Sequence, residues 1–316
     1  MELSVVLVNH NGAAVLPRSL GALARNTAAE AVEGIVVDSG SADGSWEDVE
    51  RHWARARPLR FDENIGFCAG CNRGAEAAGG RFLAFVNFDA EVEPGWDEPL
   101  RALLEDPTIA VATGVLLRPD GSTLEAAGLE IAPNMATYGR LDGEPRDGLP
   151  AEPFEVEAAS GALMMVRREE FLALGGFYEP LFMYGEEADY CLRVEGRIVL
   201  DPRSAIRHEQ GHASGPLRST TRLYWPSRNR LLLAARHLPP VALAKSVASS
   251  AAFDLATIAQ ARSGAAGKAI ARGWRDGLRG MSAERRARKP RERKAAARRL
   301  VSFRTALQEQ RRLGRL

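Results

Sequence analysis

Cysteine is scarce in this chain: Cys68, Cys71 and Cys191 are the only three in 316 residues. That excludes a disulfide framework and fits a reducing compartment. Cys68 and Cys71 have the spacing of half a zinc site, but no second Cys or His pair lies at finger-like distance. They are expected to be small residues packed in a helix. No uncharged apolar run approaches the roughly 18–20 residues a bilayer span needs. The opening MELSVVLVN has no basic n-region of a secretory signal, so the expectation is a cytoplasmic protein. Gly66, Gly70 and Gly74 do not have the spacing of a dinucleotide fingerprint, which argues against a nicotinamide enzyme. No internal repeat is evident.

What is present is the composition of a globular protein, 45% hydrophobic and 26% charged, in a chain long enough for a sizeable core. The net charge of +1 conceals an asymmetry. Residues 268–316 carry 17 Lys and Arg against 4 Asp and Glu, a net +13, leaving the first 267 residues with 25 against 37, a net −12. An acidic body thus bears a basic tail, suited to anionic lipid headgroups or nucleic acid.

Apolar runs ending in polar turns alternate with Ala-rich helical stretches. Leu3 to Val8 stops at Asn9-His10-Asn11-Gly12, Gly34 to Val37 at Asp38-Ser39-Gly40, and Phe82 to Val86 at Asn87. Residues 13–25, 45–54 and 67–78 between them have helical spacing. The alternation predicts an α/β fold with a parallel sheet, crossover helices and ligand-facing turns along one edge, so Asn9, Asp38 and Asp89 should converge. Beyond residue 95 the pattern is mixed, with hairpin-like segments over 111–131 broken at Pro119, Asp120 and Gly121. From about Ser219 the sequence is helical, over 221–237, 241–261 and the basic tail. The expected organisation is a domain over 1–218 and a helical, basic region over 219–316.

Several of these turns suit nucleotide chemistry. Asp38, at a strand end, can accept the N3–H of a uracil or thymine ring, or can cap the turn that follows. ENIGFCAGCNRG, residues 63–74, places small and polar residues at a helix start, where backbone N–H groups meet phosphate or sugar. Asp89 is either an Asx turn or a carboxylate at a ligand-binding sheet edge. Glu186, Glu187 and Asp189 follow an aromatic loop. They charge a helix N-terminus, or one of them lies in an apolar pocket with a pKa raised toward that of a general base. His208 is either structural or a ligand to a divalent metal or diphosphate.

In their order and spacing, SVVLVNHNG, IVVDSGSADGS, ENIGFCAGCNRG, FVNFDAEVEPGW, SGALMMVRREEF, GGFYEPLFMYGEEADYCLR and HEQGHAS resemble the inverting family-2 glycosyltransferases with a GT-A fold, most of all their rhamnosyltransferase-like branch. The resemblance covers roughly residues 3–235. It implies a Rossmann-like mixed central sheet with flanking helices, here with a C-terminal helical extension. It places Val8, Asn9 and Asp38 at base and ribose, and Asn64, Gly66, Phe67 and Asn72 along the nucleotide and sugar pocket. The metal motif falls on Asn87-Phe88-Asp89-Ala90-Glu91, with Asp89 the primary ligand, and with Phe88 where the family has Pro and Glu91 where it has Asp. The Glu-Asp catalytic pair falls on Glu186-Glu187, making Glu187 the implied base and a departure by one methylene. His208 matches the late metal or diphosphate histidine. Ser160, Gly161 and the loop containing Tyr184 would border the acceptor. Arg228, with Asn229, either contacts the diphosphate or anchors a helix.

The implied reaction is a single displacement from a nucleoside-diphosphate sugar to a hydroxyl of a glycan or lipid-linked glycan, with Mg²⁺ or Mn²⁺ held by Asp89 and His208. A non-catalytic nucleotide-sugar-binding relative is one alternative. A nucleotidyltransferase is another, against which stands the single glycine after the first strand. For the tail, an apolar stripe of Val247, Ala251, Leu255 and Ile258 beside the Arg-rich end suggests peripheral contact with the inner face of the cell membrane. The alternatives are a solvated extension or a homo-oligomer contact. The tail's lack of interleaved aromatics argues against nucleic acid.

Overall fold

The structure, a computed structural model, describes residues 1–47, 49–209, 219–287, 300 and 301. Residues 210–214 of the HEQGHAS segment, and the basic tail after 287 apart from 300 and 301, lie outside the described residues. In chain order the first half contains β1 (Leu3–Asn9), α1 (Leu16–Asn26), β2 (Val32–Ser39), α2 (Val49–His52), β3 (Ala56–Phe61), α3 (Gly66–Ala77), β4 (Phe82–Val86), β5 (Ala90–Val92), α4 (Asp97–Leu103), β6 (Ile109–Leu117) and β7 (Leu124–Ala126). Then come β8 (Leu129–Ile131), β9 (Thr137–Gly139), β10 (Phe154–Glu155), β11 (Leu163–Arg167), α5 (Arg168–Ala173), α6 (Glu186–Cys191), β12 (Arg197–His208), α7 (Thr220–His237), α8 (Pro240–Ala261) and α9 (Gly264–Ala287).

The main sheet runs β10-β12-β6-β11-β4-β1-β2-β3, with β5 paired to β12 and β7 to β6; β8 and β9 form a separate pair. Its first four strands are parallel in the order β3-β2-β1-β4, so the chain reverses direction of growth at β1. The crevice outside the carboxyl ends of β1 and β4 is the switch point where open α/β sheets take ligands. β11 then enters antiparallel beside β4, and the sheet becomes mixed. β1, β4 and β6 are buried along their whole length, which is why they appear in the sequence as unbroken apolar runs.

Small residues set how α3 lies on this sheet. A Cβ on Gly70 would come within 2.7 Å of Val8, and one on Gly74 within 2.3 Å of Val6, so the helix rests on β1 at a distance that only glycine permits. Cys68 and Cys71 are free and buried in the same helix, as packing residues. Behind β4, Phe85, Phe171 and Phe177 stack at centroid separations of 4.9–5.2 Å.

Two compact units divide the chain. The sheet unit comprises Met1–Leu129, Gly139–Phe182 and the segment beginning at Val194; the helical unit draws on Glu130–Tyr138, Met183–Arg193 and the C-terminal helices. In the helical unit, α9 packs on α7 through glycines: a Cβ on Gly273 would meet the carbonyl of Tyr224 at 2.7 Å.

Candidate active site

In the sheet unit the edge residues assemble around two centres. At the first, Asn9 and Asp38 are paired in register across β1 and β2 and both are fully buried. Asn9 Nδ2 donates to Asp38 Oδ1 at 2.9 Å and to Ser45 Oγ at 2.7 Å, and the Ser41 amide donates to Asp38 Oδ2 at 3.2 Å. Asp38 therefore organises the turn after β2. The Ser39 hydroxyl donates to Asn64 Oδ1 at 3.1 Å, which also accepts the Gly66 amide at 2.9 Å, tying the β2 turn to the start of α3. Gly66 has φ +82°, and a Cβ there would strike the Phe182 ring. Asn72 is spent on the loop before residue 182: its amide exchanges hydrogen bonds of 2.8 Å with the backbone of Phe177 in both directions. Phe67 lies 6.4 Å from Phe177, ring to ring. The Ser160-Gly161 turn meets the end of β4, where Asn87 N donates to the carbonyl of Ala162.

The second centre is built on His208, the last residue of β12. Its Nε2 lies 3.2 Å from Asp89 Oδ1 and 3.2 Å from Asn87 Nδ2, while Nδ1 lies 2.9 and 3.0 Å from the two oxygens of Glu125. Asp89 and His208 are both buried. Burial alone would lower the His208 pKa, but the hydrogen bonds and charges of Asp89 and Glu125 overcome it and raise the value to about 10. The imidazole is thus a cation gripped between two carboxylates. Phe88 is buried beside Gly12 and Asn9, which explains how an aromatic replaces the proline the resemblance expects. Glu91 sits on the rim, 44% exposed and 3.6 Å from Arg18. Asp89, Glu91, His208, Arg18 and Arg207 line one cleft.

Sequence reasoning missed Glu125. β7 pairs with β6 as Leu116↔Ala126 and Leu117↔Leu124, leaving Glu125 unopposed in a bulge, the device that re-aims a side chain at a strand end. A three-residue strand after a Pro119–Gly121 turn carries no signal for that.

Among the described residues no three His, Cys, Asp or Glu side chains form a complete cation cage. Asp89 and His208 nevertheless offer a carboxylate oxygen and an imidazole nitrogen 3.2 Å apart, donor types that divalent cations take. Glu125 on the far nitrogen is the second carboxylate typical of metal-binding histidines.

In the helical unit, Glu186 and Glu187 open α6 and are both buried. Burial raises both carboxyls, and Glu186 is raised well above the ordinary value by the adjacent Glu187 as well. Glu187 is raised less because a backbone amide hydrogen bond at Glu187, the Glu186 side chain and Thr137 Oγ1, 3.4 Å away, all lower it. The two carboxyls therefore titrate as a pair above the ordinary glutamate range. Asp189 differs. Burial would raise it, but His237 at 2.7 Å, Arg193 at 2.7 Å and Arg236 at 3.0 Å hold it far below the usual carboxylate range. Tyr184 has φ +68°, and the carbonyls of Met183 and Tyr184 both accept from Asn229 Nδ2, at 2.9 and 2.8 Å. Arg228 donates to Asn229 Oδ1 at 2.7 Å, so it braces the residue that anchors this loop.

The sequence profile described as Glycosyl transferase family 2 matches residues 4–172. A putative polypeptide N-acetylgalactosaminyltransferase 13 of Drosophila melanogaster is 30% identical over 231 residues, 66% of this chain and 41% of that protein. The N-acetylglucosaminyl-diphospho-decaprenol L-rhamnosyltransferase of Mycobacterium tuberculosis (strain ATCC 25618 / H37Rv) is 27% identical over 240 residues, 67% of this chain and 78% of that protein. Among solved structures, the mannosyltransferase PcManGT from Pyrobaculum calidifontis, in complex with GDP-Man and Mn²⁺, superposes with a TM-score of 0.53 at 20% identity, over 94% of this chain and 86% of that one. The chain spans less than half the length of the first of these relatives and most of the second.

Proposed function

The chain belongs to glycosyl transferase family 2 and has the GT-A fold, and on that premise we propose that it moves a sugar from a nucleoside-diphosphate donor to a hydroxyl of a lipid-linked glycan, with inversion. The observation that carries this reading is the buried Asp89–His208 pair at the carboxyl edge of the sheet, 3.2 Å apart and braced by Glu125. Rhamnose is the proposed sugar. The support is the rhamnosyltransferase relative, most of whose length the chain covers.

Val8, Asn64, Gly66 and Phe67 line the proposed nucleotide site, with Asn9 and Asp38 as its buried floor and Asn72 fixing the loop beside it. Asp89 and His208 would hold Mn²⁺ or Mg²⁺, which supplies neutralisation of the departing diphosphate. An imidazole in the donor set favours Mn²⁺. Asn87 orients His208, Glu91 and Arg18 guard the rim, and Ser160, Gly161 and Tyr184 are the proposed acceptor-binding residues. Glu187 accepts the acceptor's proton. Glu186 is its buried neighbour in the pair, and Asp189 anchors α6. Residues 1–218 are proposed as the catalytic domain, and 219–316 as the region that meets the inner face of the membrane. The buried, proton-sharing Glu pair disfavours a non-catalytic relative, because unused adjacent acids in a dry site are a cost without return.

Nucleoside diphosphate released from UDP-, dTDP- and GDP-sugars, with Mn²⁺ and polyprenyl-diphosphate acceptors, tests the reading. Glu187→Gln is expected to lose transfer while binding nucleotide as the wild type does, and Asp89→Ala to lose the Mn²⁺-dependent part of that binding. Retained transfer in both variants would sink it.

A further inference from the structure

α8 is built inside out. Its inward face is polar: Ser246, Ser250 and Asp254 are 1%, 1% and 4% exposed. Asp254 accepts from Arg230 at 2.5 Å and Ser227 at 3.3 Å of α7, and from the Trp274 indole of α9 at 2.6 Å. Ser250 donates to the carbonyl of Asn134 at 3.3 Å. Its outward face is apolar: Val241 is 70% and Leu255 67% exposed, and Ala244, Ala248, Ala252 and Ala259 complete the stripe, interrupted by Lys245. The stripe anticipated from sequence is only partly outward, because Val247, Ala251 and Ile258 are half-buried and Ile258 packs on the Leu223–Ile270 cluster. By length and composition α8 passes for a membrane span, despite Lys245 and Asp254. A span is not what its contacts describe, since Asp254 on its inner face is tied to Arg230 and Ser227 of α7 and to Trp274 of α9, and Ser250 to the Asn134 carbonyl.

α9 supplies the complement. Lys268, Arg272, Arg275, Arg279 and Arg286 are exposed at helical spacing along one face, with Leu278 51% exposed among them. In the sequence the same charge continues to residue 316. An exposed apolar stripe on one helix and an exposed cationic stripe on a helix in contact with it are the parts of an element that lies in the plane of an anionic bilayer, side chains in the acyl boundary and guanidinium groups among the phosphates. Two copies meeting through this face would bring the cationic stripes together, which disfavours a dimer.

We propose that the outer faces of α8 and α9 form an interfacial docking surface for an anionic lipid bilayer, with Val241 and Leu255 inserted and the α9 cations on the headgroups. The proposal deepens the lipid-linked acceptor reading and rests on it for its purpose.

The test uses the full chain, without donor or acceptor, and vesicles of phosphatidylcholine alone or with phosphatidylglycerol. The wild type is expected to sediment with the anionic vesicles and not the neutral ones. Val241→Glu/Leu255→Glu, at exposed positions, should weaken partitioning by about tenfold or more with an unchanged unfolding midpoint. Arg272→Glu/Arg279→Glu should do likewise and reduce the salt dependence. The proposal is overturned if the wild type ignores anionic vesicles, if the α8 variant binds them as well as the wild type, or if light scattering shows a dimer that the α8 variant dissolves. Donor turnover by a protein that ignores vesicles would sink the docking surface alone. Vesicle binding by a protein that turns over no donor would sink the transferase reading alone.

Discussion

At the scale of single residues, two adjacent buried carboxyls cannot both ionise cheaply, and this sets the pH response of the helical unit. Burial raises the Glu186 and Glu187 pair above the ordinary glutamate value. Its contribution to stability is therefore complete at and below that ordinary value and is lost as pH rises through the raised folded value. Glu186→Gln replaces one member of the pair by a neutral amide and should flatten the fall in unfolding free energy as pH rises above the ordinary glutamate value, read in denaturant titrations. With Glu187 as base, the acid limb of kcat/KM should lie above the usual carboxylate range and move further up in Glu186→Ala, which removes the side-chain hydrogen bond that lowers Glu187. A profile unchanged by that substitution would remove Glu186 from the pair. On the other centre, Glu125 touches His208 through Nδ1 alone, so it acts by fixing which nitrogen faces Asp89. Glu125→Gln keeps an acceptor but loses the charge. Mn²⁺ affinity, read by electron paramagnetic resonance, should fall about 10- to 100-fold, the range for partners of ligating histidines. Nucleotide affinity without metal should stay put.

At the scale of elements, α6 shows how a short helix is pinned. All six of its residues are buried, and Asp189 spans to α7 through Arg236 and His237. Asp189→Asn keeps the shape and leaves Arg193, Arg236 and His237 without their carboxylate, at a cost of about 3–5 kcal/mol. Because the folded pKa of Asp189 is depressed, that stability is present above the ordinary aspartate value and is lost as pH falls through the folded one. Urea midpoints of the variant at pH 7 check the magnitude. Asp189 also marks where sequence reasoning stopped. Glu186, Glu187 and Asp189 look alike in a chain of letters, and only partners 47 and 48 residues away separate an anchor from a dyad. β1, β2 and β4 were legible because strands buried on both faces leave unbroken apolar runs, and α3, α7 and α8 fall within about one residue of the expected ends. The helix expected over 45–54 shrinks to α2, four residues with only Val49 buried. Strand order past β4 was not legible, since the pairing of β12 with β6 depends on contacts between distant segments. Glu125 was hidden for a related reason: a bulge is a property of two strands together.

At the scale of the whole molecule, the division into two units fixes what a ligand can stabilise. Asn9, Asp38, Asn64, Asp89, Glu125 and His208 all belong to the sheet unit, so the proposed nucleotide and metal ligands come from one compact body with its own core. A ligand that binds only the folded form adds RT ln(1 + [L]/Kd), about 2.7 kcal/mol at a hundredfold excess over Kd. Spread over a unit of this size, that raises its unfolding midpoint by roughly 5–10 °C, at about 2–4 °C per kcal/mol. UDP, dTDP and GDP should therefore rank themselves by calorimetric shift, and the shift should grow when Mn²⁺ is added. In the proposed site the cation would displace the proton from His208, whose pKa Asp89 and Glu125 raise to about 10. Raising pH from 6.5 toward 9 should consequently enlarge the Mn²⁺ increment while leaving the metal-free nucleotide shift nearly constant. Asp89→Ala should erase the increment at every pH. A Mn²⁺ increment that survives Asp89→Ala, or that shrinks as pH rises, would place the cation elsewhere and leave the Asp89–His208–Glu125 cluster a structural ion triad.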